Sequence, residues 1–165
     1  MKIKFLILTF LLTFNVFTHA LDLKNLTPQQ LEMLREIKKM GKDSGLSYSL
    51  MAIAIKESKL GAYMINISSK DFGMYQANIT TVLNRQNLRD TSWNRNVFAS
   101  KLVFDFEFAT QNAIEELTFW KKVHKNDWHK VWGSYNAGYR YNSKKARTYS
   151  REIASIIREL KKINV

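Results

Sequence analysis

The chain has 165 residues, with 26 Lys and Arg against 14 Asp and Glu, a formal charge of +12, and no cysteine. That length is enough for one hydrophobic core. The missing cysteine excludes a thiol nucleophile, a thiolate metal site and the disulfide framework usual in small secreted animal proteins.

Met1-Lys2-Ile3-Lys4 is a short basic start, residues 5–17 are an apolar run, and Thr18-His19-Ala20 ends in a small residue. This is the layout of a secretory signal peptide, because the run falls short of the about 20 residues that a membrane span needs. An uncleaved anchor is the alternative reading, and with no cysteine after the run a lipoprotein is excluded. Cleavage after Ala20 would remove Lys2 and Lys4 and no acid, lowering +12 to +10 and leaving a domain over 21–165. The protein is thus expected to be exported, to the periplasm or the cell wall.

Thr27-Pro28-Gln29-Gln30 predicts a helix start, with Thr27 as N-cap, Pro28 at the first position and Gln30 completing a capping box. Met33, Leu34, Ile37 and Met40 form its buried stripe, and Gly41 to Gly45 close it. Residues 49–60 read as a second helix, apolar on nearly every side and therefore buried. Its only clearly wet positions are Lys56 and Lys59, which fall with Ala52 on one narrow stripe, and Gly61 ends the apolar segment. Residues 61–70 are expected as loop, and 72–78 as a brief extended piece or a tight turn into a helix over 80–86. Residues 94–122 hold one long periodic segment, with Leu102, Phe106, Ala109, Ala113, Leu117 and Trp120 on a single face. Asp127 caps the next helix, residues 140–145 are loop, and 148–163 form a terminal helix burying Ile153, Ile156, Ile157 and Leu160. No alternating strand run of useful length occurs. The expectation is one all-α domain, α+β of the lysozyme-like kind at most.

Glu57 is the residue the chemistry points to. On a helix it lies over Ile53, Ala54 and Leu50, against packed surface. It also sits in the last turn, where the negative helix end disfavours an anion. Burial and dipole both push it towards a protonated acid at higher pH than usual, which is what a general acid needs. Of the 14 acids, Glu32, Glu36, Glu152 and Glu159 fall at wet helical positions, while Asp105, Glu107, Glu115 and Glu116 belong to the long helix as solvated or dipole-matched charges. No Gly-x-Ser-x-Gly elbow, His-Glu-x-x-His pair or glycine-rich phosphate loop is present. His124 and His129 are five apart on a polar stretch, the wrong relationship for a shared metal, and read as solvated. Acid–base chemistry with a carboxylate remains, and it needs no cofactor.

Three short stretches then line up: Glu57-Ser58; Asp71-Phe72-Gly73-Met74-Tyr75-Gln76-Ala77-Asn78; and Gly133-Ser134-Tyr135-Asn136-Ala137-Gly138. In this order and spacing they resemble the catalytic core of the lytic transglycosylases, peptidoglycan-cleaving enzymes of the lysozyme superfamily, over about residues 46–157. The family patterns are close to E-S, G-L-M-Q-I-N and A-Y-N-A-G. The resemblance implies Glu57 as the single catalytic carboxylate, acting first as acid and then as base on the MurNAc–GlcNAc β-1,4 bond, and leaving a 1,6-anhydro end. It implies glycan contacts from Met74, Gln76, Asn78, Tyr135 and Asn136, and a late tyrosine, Tyr149, that reaches the catalytic acid. Ser58 is expected to fix the surroundings of Glu57 and Gly73 to permit a positive φ or a close backbone approach, and both are expected within the glycan-binding set. Asp71 is open between two roles: orienting the loop, or serving as the second carboxylate of a lysozyme-type hydrolase. Tyr75 and Ala77 stand where the family more often has Met and Ile, and Ser134 where it has Ala.

Basic residues crowd the last third of the chain, from Lys121 to Lys162. They are expected to keep the protein soluble and to draw it to an anionic wall. Nucleic acid is the rival partner, disfavoured because an exported protein rarely meets it. A module that only bound glycan, or a basic nucleic-acid binder, would have little reason to hold Glu57 on an apolar face. A lone domain behind a signal peptide also resembles the small transglycosylases that open the wall for secretion or pilus machines, and a monomer is expected.

Overall fold

The computed structural model describes residues 23, 25–163 and 165, so the leader expected over residues 1–20 lies outside the described residues. The elements follow in the order α1 Pro28–Met40, α2 Ser47–Ser58, β1 Ile65–Asn66, β2 Asp71–Phe72, β3 Ala77–Asn78, α3 Ile79–Arg85, α4 Ser92–Phe104, α5 Phe106–Val123, α6 Trp128–Ala137 and α7 Lys144–Leu160. The fold is mostly helical, with one small antiparallel sheet in the order β1-β2-β3. Its strands are two residues each, too short to show alternation in sequence. Both expectations for residues 72–78 therefore hold in part: the segment is extended, then a turn, then extended again before α3.

Helix α1 starts as its sequence dictates. The Thr27 hydroxyl accepts from the Gln30 N–H at 3.2 Å while the Gln30 side chain accepts from the Thr27 N–H at 2.9 Å. Helix α2 is the axis of the larger core. Every residue from Ser49 to Ile55 is buried, and α1, α5 and α7 pack around it. Ala52 belongs to this buried set although it is in line with Lys56 and Lys59, since helices cover that part of the stripe. Only Lys56 remains at the outer edge, paired with Glu152 of α7 at 2.7 Å. Fully burying side chains such as Leu50, Met51 and Ile53 is worth about 1.5–3 kcal/mol each, so α2 is anchored along its length.

The end of α2 also departs from expectation. Its last residue is Ser58, and the left-handed cap is Lys59 at φ 51, followed by Leu60 at φ 57 and Gly61 at φ 90. Ser58 makes this stop possible: its hydroxyl donates to the Ala54 carbonyl at 3.1 Å and accepts from the Gly61 N–H at 2.9 Å. The chain then turns back at once into the sheet.

The long segment over 94–122 is two helices. Asp105, at φ −110 and ψ 97, closes α4 and caps α5 by accepting from the Phe108 N–H at 2.9 Å. Aspartate competes for helix N–H groups in this way, so Asp105 is an exposed cap whose charge also matches the positive end of α5. The break divides the apolar face between two cores: Ala109, Ala113, Leu117 and Trp120 join the α2 core, while Leu102 joins Ala77, Ile79, Val82 and Leu83 beneath the sheet. The two histidines are structural links. His124 Nε2 lies 2.8 Å from the Ser134 hydroxyl and His129 Nδ1 lies 2.9 Å from the Ser150 hydroxyl, so neither is simply solvated. Ser143 caps α7 four residues earlier than the apolar pattern suggested, accepting from the Ala146 N–H at 3.2 Å.

Candidate active site

Glu57 sits in the last turn of α2, half-buried, between two depressions that it lines together with Asn136. One, of about 300 Å³, lies against the sheet and takes in Asp71, Gln76, Asn78 and Tyr135. The other, of about 590 Å³, lies against α7 and takes in Lys145, Thr148 and Tyr149. Together they form a cleft with the carboxyl at its middle. Volumes of this size suit an extended small ligand.

Burial pushes the Glu57 carboxyl above its ordinary range. Tyr149, Lys56 and Lys145 pull the other way, and the nearby Asp71 charge adds to the rise. Desolvation is the largest of these causes, so Glu57 holds its proton at higher pH than a surface glutamate does. Tyr149 is close enough to favour the Glu57 anion, yet its buried hydroxyl meets no partner at ordinary hydrogen-bond geometry. Its own ionisation is pushed well up by burial and by the Glu57 charge, so it stays a neutral donor.

The sheet wall is built from interlocked amides. Asn78 caps α3 by accepting from the Thr80 N–H at 3.2 Å, and its NH₂ donates to the Ser69 carbonyl at 3.0 Å and to Asp71 Oδ1 at 2.9 Å. Gln76, held at φ 47, donates to the Gly73 carbonyl at 3.0 Å and to the Tyr63 carbonyl at 3.2 Å. Gly73 has φ 79, and a Cβ built there would stand 2.2 Å from the Leu102 carbonyl oxygen. Both reasons for a glycine, the positive φ and the close approach, therefore operate at once. Across the cleft, the Tyr135 hydroxyl donates to the Tyr75 carbonyl at 2.9 Å and ties α6 to the turn.

Two residues expected at the glycan lie elsewhere. Ser58 is fully buried and spends its hydroxyl on the end of α2. Met74 is buried in the larger core and faces a separate apolar groove beside α1. Both support the site from behind. The three departures from the family pattern also point into the interior. Tyr75 is buried with its hydroxyl 3.2 Å from that of Thr110, Ala77 fills the core under the sheet, and Ser134 meets His124.

The first depression also contains residues that sequence reasoning passed over. Arg85, at the end of α3, donates to Asn112 Oδ1 at 2.5 Å and forms an ion pair with Glu116, which accepts from Trp120 Nε1 at 2.5 Å. Glu116 is thus a half-buried partner in this network and no simply solvated helix charge. Its four-residue spacing to Trp120 was visible, whereas Arg85 lies 31 residues away and left no local signal. Among the described residues no group of three or more His, Cys, Asp and Glu side chains is placed to hold a metal ion.

The Transglycosylase SLT domain family model matches residues 35–157. An Enterobacteria phage T4 protein, "Uncharacterized 20.7 kDa protein in vs-regB intergenic region", is 30% identical over 115 residues, covering 67% of this chain and 60% of its own length. The chain therefore spans about 60% of that relative. No solved structure matches significantly. The family match covers all three motifs and both walls of the cleft, and the chain belongs to the SLT transglycosylase domain family of lysozyme-like proteins.

Proposed function

We propose that this protein is a peptidoglycan lytic transglycosylase that cleaves the MurNAc–GlcNAc β-1,4 bond with Glu57 as its one catalytic carboxylate. The observation that carries this reading is the place of Glu57: a desolvated acid, its proton held by burial, at the middle of a cleft. Protonated Glu57 gives its proton to the bridging oxygen as the bond from the MurNAc C1 to that oxygen breaks. The substrate's own N-acetyl oxygen bonds to C1 from the opposite face, so no second carboxylate is needed. The C6 hydroxyl of the same sugar then displaces the N-acetyl oxygen, and its proton passes to the Glu57 carboxylate. The sugar leaves as a 1,6-anhydro end, no water is consumed, and Glu57 is protonated again.

Tyr149 and Asn136 complete the acid's surroundings in this scheme. Tyr149 donates to the carboxylate form, and Asn136 offers an acceptor to the sugar's amide. Asp71 has a different task. Its Oδ1 is engaged by Asn78 across the β2–β3 pair, which supports a role in holding the loop and its charge beside Glu57. The rival reading, hydrolysis with Asp71 as second carboxylate, draws on the fact that Asp71 lines the same depression. The substrate lies outside the cytoplasmic membrane, so the reading requires export. Among the described residues no helix is long and apolar enough to cross a membrane.

Glu57→Gln and Asp71→Asn separate the two readings, measured as rates on intact peptidoglycan. General acid–base catalysis is worth about 10²–10⁴-fold; with one residue serving both transfers, Glu57→Gln should lose at least the upper end of that range. Asp71→Asn keeps most of the loop's hydrogen bonds and should lose about tenfold or less, near 1.4 kcal/mol. Equal loss in both folded variants would replace the one-carboxylate scheme with the two-carboxylate one.

A further inference from the structure

Behind the α7 wall of the cleft lies a second depression, of about 490 Å³, between the start of α6, the turn at Tyr141 and Asn142, and the first turns of α7. Its charge is one-sided. Lys130, Lys144, Arg147 and Arg151 line it, and its single acid, Asp127, is taken by Lys130 at 3.0 Å. No carboxylate pairs with Lys144, Arg147 or Arg151 among the described residues; Arg151 donates only to Thr148 of its own helix, at 3.2 Å. These three cations stand at i, i+3 and i+7 along one face of α7, a spacing at which like charges destabilise a helix. Lys144 and Arg147 also sit in the first turn of α7, at the helix end whose dipole repels them. The arrangement works against the fold, and an anion in the depression would relieve it.

The position of the depression indicates which anion. Lys144 lines both this depression and the half of the cleft that holds Glu57 and Tyr149, so the two adjoin at that side chain. A group bound here must hang from the strand near the scissile sugar and reach past the cleft rim. The peptide stems of the wall do so, and they end in carboxylates, which guanidinium forks bind in paired hydrogen bonds. Resting on the proposed substrate, we propose that the Lys144–Arg147–Arg151 depression is a second binding site on the strand, taking the carboxylates of peptide stems and giving preference to peptide-bearing glycan over bare glycan.

Sedimentation with insoluble wall sacculi tests this without turnover, using the Glu57→Gln protein so that the wall stays uncut. Three walls are compared: untreated, stripped of peptides by an amidase, and freed of phosphodiester polymers by hydrofluoric acid. Stripping leaves only the lactyl carboxylate on the sugar ring, too short to leave the cleft. The parent should bind untreated and acid-treated walls alike and stripped walls roughly tenfold more weakly. Adding Arg147→Gln and Arg151→Gln should weaken binding to untreated walls to the stripped level, with a melt no lower than the parent's, and the difference should shrink as salt screens the pairs. Equal binding of parent and double variant to untreated walls would overturn the site. So would equal binding of the parent to stripped and untreated walls. Loss of binding after the acid treatment would give the depression to phosphodiesters instead. If the double variant lost only its affinity for a single-stranded oligonucleotide and kept its affinity for the wall, the depression would be a nucleic-acid site and the proposal would fail. A parent that bound none of the three walls would contradict the glycan substrate itself, a different failure from any of these.

Discussion

The two walls of the cleft hold their polar side chains in opposite states. On the sheet wall, Asn78 and Gln76 have committed their amide hydrogens to Ser69, Asp71, Gly73 and Tyr63. On the helical wall, the Asn136 Oδ1 is buried with no hydrogen-bond partner, and the Tyr149 hydroxyl has only the Glu57 carboxyl beside it. Leaving such a group unpaired costs about 1–3 kcal/mol, and native proteins keep few of them. Amides quoted together in one motif can therefore do different work. Those of the sheet wall hold a tight turn in shape, and the Asn136 oxygen of the helical wall is uncommitted in the cleft that Glu57 lines.

Breaking the sheet wall should give the largest loss of stability. Gly73→Ala adds a Cβ at a positive φ and against the Leu102 carbonyl, so the turn and the α4 backbone cannot both keep their places. A loss of at least about 2 kcal/mol in chemical denaturation is expected. A variant as stable as the parent would show that the turn is loose and that its amides are free after all.

Paired asparagine changes sharpen the contrast. Asn78→Ala removes a helix cap and the tether of Asp71, and should cost about 1–2 kcal/mol of stability. Asn136→Ala removes a buried oxygen that is already unpaired, so stability should hold or rise, by up to about 1–3 kcal/mol. Its activity on peptidoglycan should still fall by roughly tenfold, the effect of one lost hydrogen bond in the transition state. Melts and turnover rates on the same preparations would expose the reverse pattern, which would exchange the roles of the two walls.

The smallest effect concerns Glu57 as a stability group. Its folded pKa is raised, mainly by burial, so its contribution to stability is full below the ordinary glutamate value of 4.5 and is lost as pH rises through the folded value. Glu57→Gln carries no charge at any pH and escapes that loss. Its melting temperature should exceed that of the parent at pH 8, with the advantage closing towards pH 4. A variant that melted lower at pH 8 would mean that Tyr149, Lys56 and Lys145 outweigh burial.

Local signals were the legible part of this fold. Thr27 with Gln30, and Asp127 ahead of Trp128, announce helix starts within four residues, and the structure places caps at both. The same signal stood at Asp105, but an unbroken apolar face on either side masked it, because a periodic pattern does not register one non-helical residue. Ala52 shows the narrowness of the wet stripe. It is in register with two lysines, yet an alanine lets a neighbouring helix pack closely over it. The candidate site was legible through Glu57, whose apolar neighbours fix its surroundings within one helix. The Arg85–Glu116 pair was not, because only the tertiary fold brings α3 onto α5. Ser58 and Met74 carry the motif without facing the cleft, since a motif records which residues a site needs and not which way each one points.

The chemical ends left by the reaction test the central claim most directly. Purified peptidoglycan, digested by the protein and resolved by mass spectrometry, should yield MurNAc ends one water lighter than the reducing sugar. That is the 1,6-anhydro form, which follows if Glu57 takes its second proton from the sugar's own C6 hydroxyl. Ordinary reducing MurNAc ends would contradict it, and would make water the acceptor and Asp71 the second carboxylate of a hydrolase.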